Sequence, residues 1–250
     1  MLYLGPSALK HRASTHLEHH IDNWQQFYRQ QAQNARHPLL QSFYQAGMVS
    51  ADTPVSDAPL LALDFETTGL NPANNGIVSI GLLPMTQQQL YSSQARQWLL
   101  KPRFALSDES VTLHRITHSD IAEAPDLTVV LPELLQHMAG KVIVLHYRGI
   151  ERPFLNAAIK ARLGEGIQFP VIDTMELEAR LHRHKPLSWW QQLRGQKPAS
   201  IRLADSRLRY NLPAYRPHHA VTDALACAEL LQAQLAHRFS ADTPVSQLWC

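Results

Sequence analysis

Asp64 and Glu66 lie two residues apart in "LLALDFETTGLNP" (60–72), a run that otherwise reads as a buried strand. Side chains two apart on a strand leave by the same face, so the carboxylates emerge together while Leu63 and Phe65 pack on the other side. Adjacent carboxylates repel, and burying them is costly unless a cation sits between them. Hard divalent ions with oxygen ligands, Mg²⁺ or Mn²⁺, meet that need. A strand that simply ends at Asp64, with both acids solvated, is the plainer reading of an isolated D-x-E. The next residues favour the metal. Thr67, Thr68, Gly69 and Leu70 supply hydroxyls, a flexible glycine and a turn where a nucleotide end can approach the backbone.

A second constellation is "RPHHAVTDALACAELL" (216–231), with two histidines and an aspartate at the opening of a helical pattern. His219 and Asp223 are four apart and share a helix face, whereas His218, five away, does not. A helix that begins only near Ala220 puts His218 on the preceding loop, free to swing over the site. Spacing prefers His219 and loop mobility prefers His218. An ordinary cap with a first-turn acid at the positive helix end is the alternative to both.

These residues need a scaffold. At 250 residues, 45% hydrophobic and 18% charged, the chain can bury one substantial core. Its two cysteines, Cys227 and Cys250, are too few for a disulfide framework and fit a reducing cytoplasm. No stretch approaches the roughly 18 apolar residues of a membrane span, so the expectation is a soluble, unexported protein with no membrane partner. Strands are expected over 60–65, from Ile77 over "IVSIGLL" and over about 90–100, their short connections suggesting an antiparallel meander. Helical pattern follows near 118–138, then the strand "VIVLH" (142–146), a helix from about Glu151 to Leu163, the short strand "FPVID" ending at Asp173, a capping box of Asp173 and Glu176, and a long helix from about Ala220 to His237. Strands first and then alternation with helices indicates an α/β domain with a mixed sheet. Upstream, a helix is expected from the Thr15 and Glu18 capping box through Trp24 and Tyr28. A second begins at Pro38 and stops at Gly47.

In order and separation, "LALDFETTGLNP", "VIVLHYRGIERPFL", "VIDTMELEARL" and "HHAVTDALACAELL" resemble the DnaQ-like DEDDh 3′–5′ exonucleases, the family of the DNA polymerase III epsilon subunit. The likeness covers roughly residues 58–238. It implies a ribonuclease H-like fold, a central mixed five-stranded sheet flanked by helices, here with an N-terminal helical extension. It also implies two-metal removal of nucleotides from a free 3′ end. On this pattern Asp64, Glu66 and Asp223 are ligands of two Mg²⁺ or Mn²⁺ ions, Asp64 bridging them, and His218 is the general base. His218 is then preferred over His219, because a base needs mobility and access to water more than a shared face with a ligand. Its ordinary pKa near 6.5 suits that work. The middle motif departs from the family's "HNA-x-FD": here it is "HYRGIE", so the fourth carboxylate falls on Glu151, the register being set by His146, which is expected to contact substrate together with Thr67–Leu70 and His114, and Tyr147 replaces an asparagine. "SVTLHRIT" (110–117) resembles the family's "HGIT" stretch, which places His114 near the strand end.

The expected organisation is therefore a helical extension and linker over 1–57, the exonuclease domain over 58–238 and a C-terminal tail over 239–250. Nucleic acid with a free 3′ end is the expected partner, DNA favoured over RNA, with a DNA polymerase or a replication or repair complex left open as a further one. A non-catalytic nucleic-acid-binding module with a degenerate site is the alternative, and a small-nucleotide phosphodiesterase a third reading. Between Arg180 and Arg216 nine Lys or Arg stand against one acid, Asp205, with Trp189 and Trp190 among them. That composition can stack bases and neutralise phosphates, or it can be a charged face around two core tryptophans. His16, His19 and His20 have metal-capable spacing on what reads as a solvated helix face. "SADTPVS" occurs twice, at 50–56 and 240–246, with no fold-scale repeat around it, and reads as two capped turns.

Overall fold

The computed structural model describes residues 21–106, 108–183 and 198–250. The Thr15 capping box, the histidines at 16, 19 and 20 and the two tryptophans at 189 and 190 lie outside them. Five strands, β1 (Leu60–Thr67), β2 (Ile77–Met85), β3 (Arg96–Leu99), β4 (Val142–Leu145) and β5 (Val171–Asp173), form one sheet in the order β3-β2-β1-β4-β5. β2 runs antiparallel to both β1 and β3, as the short connections predict, while β4 and β5 run parallel to β1. The sheet is the mixed, five-stranded ribonuclease H-like platform expected.

Helices cover both faces. α1 (Trp24–Asn34), α2 (Pro38–Gln45), α3 (Asp108–His114), α4 (His118–Ala122), α5 (Leu127–Met138), α6 (Arg148–Leu163), α7 (Thr174–His182), α8 (Leu203–Arg209) and α9 (Ala220–Arg238) follow in chain order. The period-two alternation of β1 sorts its side chains between two cores. Leu61, Leu63 and Phe65 join the aromatic and aliphatic residues of α1, α2, α5 and α6, whereas Leu60 and Ala62 pack against α9, α7 and α8. Asp64 and Glu66 therefore continue the face that α9 covers, and a charged pair is driven inside by the strand period itself.

Several expectations shift in detail. The helix expected from Glu151 starts three residues earlier, at Arg148. The 118–138 pattern divides into α4 and α5, because Asp126 caps a new helix through Thr128 N–H at 2.9 Å. α3 and α8 lay outside every predicted element, and the expected 90–100 strand is ordered as β3 only over Arg96–Leu99. Asp173 caps α7 by accepting from Met175 N (2.9 Å) and Glu176 N (3.3 Å). The Glu176 carboxylate turns to Arg180 (3.6 Å) and Arg148 (4.0 Å), so the expected box is only half formed.

The N-terminal helices share a core with the sheet. Trp24, Tyr28, Phe43 and Tyr44 are buried in the cluster that holds Leu61 and Leu63. Glu165 accepts from the backbone N–H groups of Arg36 and His37, and Tyr44 Oη accepts from Gln168 N at 3.0 Å.

The two copies of SADTPVS pair with each other. Val55 N donates to Thr243 O (2.9 Å) and Val245 N to Thr53 O (2.9 Å); Ser56 N donates to Ala241 O (3.3 Å) and Ser246 N to Ala51 O (3.1 Å). Each bond has its mirror image in the other copy, a local two-fold relation that only two like segments can make. It clasps the linker before β1 to the tail after α9, with Val55 and Val245 fully buried beneath it. No described helix is long and apolar enough to cross a membrane.

Candidate active site

Four carboxylates meet where β1 ends. Asp64 and Glu66 project from β1 toward α9, and Asp223 sits in the first turn of that helix; one oxygen from each lies within 4.8 Å of the others. All three are almost fully buried, as is Glu151 in the first turn of α6, which follows directly on β4. Parallel pairing of β1 with β4 brings α6 to the same edge, because both strands deliver their carboxyl ends there.

Two residues that the sequence reading missed make this convergence possible. Gly81 pairs with Asp64 across β1 and β2. A Cβ on Gly81 would lie 2.3 Å from the carbonyl carbon of Ala220, so only glycine lets the start of α9 rest on the sheet beside Asp64. A glycine within a strand pattern is the signal that marks such an approach. The second is Asp173, buried at the end of β5. Besides capping α7, it accepts from Tyr147 N and Arg148 N, both at 2.9 Å, and so anchors the first turn of α6 that carries Glu151. Tyr147 has φ +87°, and its ring lies over Gly149, where a Cβ would come within 2.8 Å of the ring. The departure from the family motif is thus supported by a local device of its own: the glycine of "HYRGIE" makes room for the tyrosine.

The loop after β1 is held by its own hydroxyls. Thr67 Oγ1 donates to Gly69 O at 2.7 Å, and Thr68 Oγ1 accepts from Gly76 N at 3.0 Å and donates to Asn75 Oδ1 at 3.1 Å. Leu70 packs against the core that contains Phe65. His114, at the end of α3, is buried with Nδ1 in close contact with Glu66 Oε2, and α3 is tied to the strand by Ser110 Oγ donating to Thr67 O at 3.3 Å. His218 lies on the loop before α9 with φ +70°; its N–H donates to Asp223 Oδ2 at 2.8 Å, and its ring stacks edge-on to His114 at 5.8 Å. His219 is exposed and turned to Thr222 Oγ1 at 3.1 Å. The structure thus brings His218 to the carboxylates and leaves His219 outside, because α9 starts at Ala220.

His146 is engaged elsewhere. Its neutral ring donates from Nε2 to Ile201 O (3.1 Å) and accepts at Nδ1 from the Thr174 hydroxyl (2.8 Å), which fastens the end of β4 to α7. Both ring nitrogens are therefore engaged within the protein.

The electrostatics follow from burial. Desolvation pushes Asp64 and Glu151 well above the usual carboxylate range, with neighbouring acids adding to it, and raises Asp223 as well. Burial acts the same way on Glu66 and is the largest single influence, but the hydrogen bond from His114 and the surrounding charges, those of His114 and His218 among them, together outweigh it and hold that group below its ordinary value. Burial lowers His218 to about 4, against the ordinary value near 6.5 that the sequence reading assumed. Asp64 Oδ2 and Glu151 Oε2 are buried with no hydrogen-bond partner. Oxygen-rich, buried, mutually repelling and partly unsatisfied, the group has the donor chemistry that hard divalent cations require.

Beside His114 and His218 opens a cleft of ≈ 680 Å³ whose rim carries Arg115 and Arg216. Much of the remaining basic composition in the described part of 180–216 is structural. Arg207 is buried against Glu229 (2.7 Å) and Arg209 pairs with buried Glu178 (2.5 Å), so net charge overstated what is free for phosphate.

A family model described as exonuclease, RNase T, matches residues 61–231. The PolC-type DNA polymerase III of Thermotoga maritima is 29% identical over 183 residues, which is 73% of this chain but only 12% of that protein. The DNA polymerase III subunit epsilon of Treponema pallidum is 24% identical over 180 residues, 70% of this chain and 76% of that protein. Among solved structures, the nuclease domain of 3′hExo, a DEDDh family member bound to rAMP, shares the fold with a TM-score of 0.57 at 16% identity, covering 72% of this chain and 92% of that one. The chain belongs to the RNase T exonuclease family and is a DnaQ-like member of it.

Proposed function

We propose that the protein is a metal-dependent 3′–5′ exonuclease that hydrolyses the terminal phosphodiester of single-stranded or frayed nucleic acid and releases 5′-mononucleotides. The observation that carries this reading is the convergence of Asp64, Glu66 and Asp223 within 4.8 Å, with Glu151 buried beside them and lacking a partner at one oxygen. A module that only bound nucleic acid would have no reason to keep four buried, repelling acids whose ionisation burial opposes.

Asp64, Glu66, Asp223 and Glu151 would hold two Mg²⁺ or Mn²⁺ ions. Such ions, when bound, supply the charge that stabilises the attacking and leaving oxygens of an in-line displacement. His218 accepts the proton of the attacking water. Its ring is unprotonated through the neutral range, and its position on a loop lets it follow the substrate. The bond from phosphorus to the 3′ oxygen breaks, that oxygen stays with the shortened strand, and the terminal residue departs with its 5′ phosphate. The backbone of Thr67 to Leu70 receives the terminal nucleotide, held in shape by the two threonine hydroxyls. His114 keeps Glu66 ionised and in place. Arg115 and Arg216 border the path of the upstream phosphates, contacts that select backbone and not sequence.

DNA is the favoured substrate and a DNA polymerase a partner to test, on the strength of the polymerase III relatives. Product analysis decides the reaction. A substrate labelled at its 3′-terminal phosphodiester should release labelled 5′-mononucleotide as the first product. Turnover of a nitrophenyl ester of thymidine monophosphate, with none of any oligonucleotide, would point to a small-nucleotide phosphodiesterase and refute the reading.

A further inference from the structure

Glu66 belongs to two overlapping groups. With Asp64 and Asp223 it forms the oxygen-only set; with His114 and His218 it forms another, in which one oxygen and two imidazole nitrogens lie within 4.8 Å of one another. The two sets differ in chemical character. Carboxylate oxygens suit Mg²⁺ and Mn²⁺, whereas imidazole selects the borderline ions that follow them, above all Zn²⁺. Two histidines and a carboxylate with a fourth position open to solvent is a ligand set that zinc uses repeatedly.

Three elements supply the donors, and two of them are fixed. Glu66 is held in β1, and His114 is held by α3, buttoned to β1 through Ser110 and Thr67. The His114 ring is buried with Nδ1 against Glu66 Oε2, so an ion held by both would take the place of that direct contact. His218 is the adjustable ligand, half-buried on a loop and open to the cleft rimmed by Arg115 and Arg216. Zinc bonds of about 2.0–2.1 Å place tetrahedral donors about 3.4 Å apart.

We propose that Glu66, His114 and His218 form a site for a borderline transition-metal ion, Zn²⁺ or its spectroscopic stand-in Co²⁺, distinct from the oxygen-only set. Occupancy is incompatible with hydrolysis. The lone pair of His218 that would take the proton is then on the metal, and Glu66 is drawn from its other ligand role. Zn²⁺ therefore inhibits even when Mg²⁺ is saturating. The inhibition rests on the exonuclease reading; the site does not.

The test uses the full chain, stripped with chelator and titrated with Co²⁺ in excess Mg²⁺. The expected result is an intense visible band of four-coordinate Co²⁺, bleached by Zn²⁺, lost in His114→Ala and in His218→Ala and kept in His219→Ala and Glu151→Gln. In parallel, Zn²⁺ should lower Mg²⁺-supported cleavage at least tenfold. Absence of the band in the wild type, its survival in either folded histidine variant, or its loss in Glu151→Gln would overturn the site. Should His114→Ala fail to fold, His218→Ala, altered on a loop, decides alone. If Mg²⁺ supports no cleavage at all, the exonuclease reading fails while the spectrum still decides the site.

Discussion

The Cα of Gly81 lies against the first peptide of α9, so close that a Cβ there would come within 2.3 Å of the Ala220 carbonyl carbon. This contact sets the distance from Asp223, three residues into the helix, to Asp64, which pairs with Gly81 on the neighbouring strand. Gly81→Ala should leave the sheet intact but push the helix start outward. Misplacement by about 1 Å costs on the order of 100-fold in rate. We expect turnover to fall by about that factor, with a circular dichroism spectrum like that of the wild type. Wild-type rates would show that the approach is not needed.

The raised carboxylates predict how metal and stability are linked. A carboxylate whose folded pKa lies above its unfolded value stabilises fully below the unfolded value, and that contribution is lost as pH rises. At neutral pH without metal, Asp64 and Glu151 therefore weaken the fold, and cations relieve the strain. At about a hundredfold excess over its Kd, a ligand adds about 2.7 kcal/mol, which for a chain of this size raises Tm by about 5–10 °C. Asp64→Asn should melt no lower than the wild type in chelator and lose the Mg²⁺-dependent rise. Differential scanning calorimetry reads both, and an unchanged rise in the variant would remove Asp64 from the ligand set.

The histidines should differ sharply. Loss of a general base costs about 10²–10⁴-fold, so His218→Ala should fall in that range. His219→Ala, whose ring is exposed and turned to Thr222, should stay within about threefold of the wild type. Single-turnover rates compare them, and the reverse order would reassign the base.

His146 predicts a stability profile. Burial lowers it to about 4 from an unfolded value of 6.5. Between those values the unfolded chain binds more protons, so stability is full above about pH 6.5 and lost as pH falls toward 4, by about 3 kcal/mol. Urea midpoints should drop across that window, and His146→Gln, which can keep both hydrogen bonds, should flatten the profile. Equal slopes in both proteins would contradict the assignment.

What could be read from the sequence was local. The period of β1 put Asp64 and Glu66 on one face, and the capping and apolar periodicity around α2 and α9 located those helices. What escaped depends on partners distant in the chain. Gly81 matters only because Ala220 lies on it, and Asp173 only because β5 ends beside the start of α6. The choice between His218 and His219 turned on one residue of helix boundary, which propensity does not resolve. The SADTPVS repeat was visible, but its meaning, a reciprocal clasp, required both copies in space. In the basic segment, composition counts Arg207 and Arg209 as available charge, while the fold pairs them with Glu229 and Glu178.

The central claim is directional, metal-dependent hydrolysis from a 3′ end by the buried carboxylates. Its most direct test is a gel assay of purified protein on 5′-labelled single-stranded DNA and RNA, with Mg²⁺, Mn²⁺ or EDTA, beside Asp64→Asn. The expected result is a ladder that shortens from the 3′ end, faster on DNA, absent in EDTA and absent in the variant. Binding of the same oligonucleotides without any ladder in either metal, or a ladder unaffected by Asp64→Asn, would contradict it.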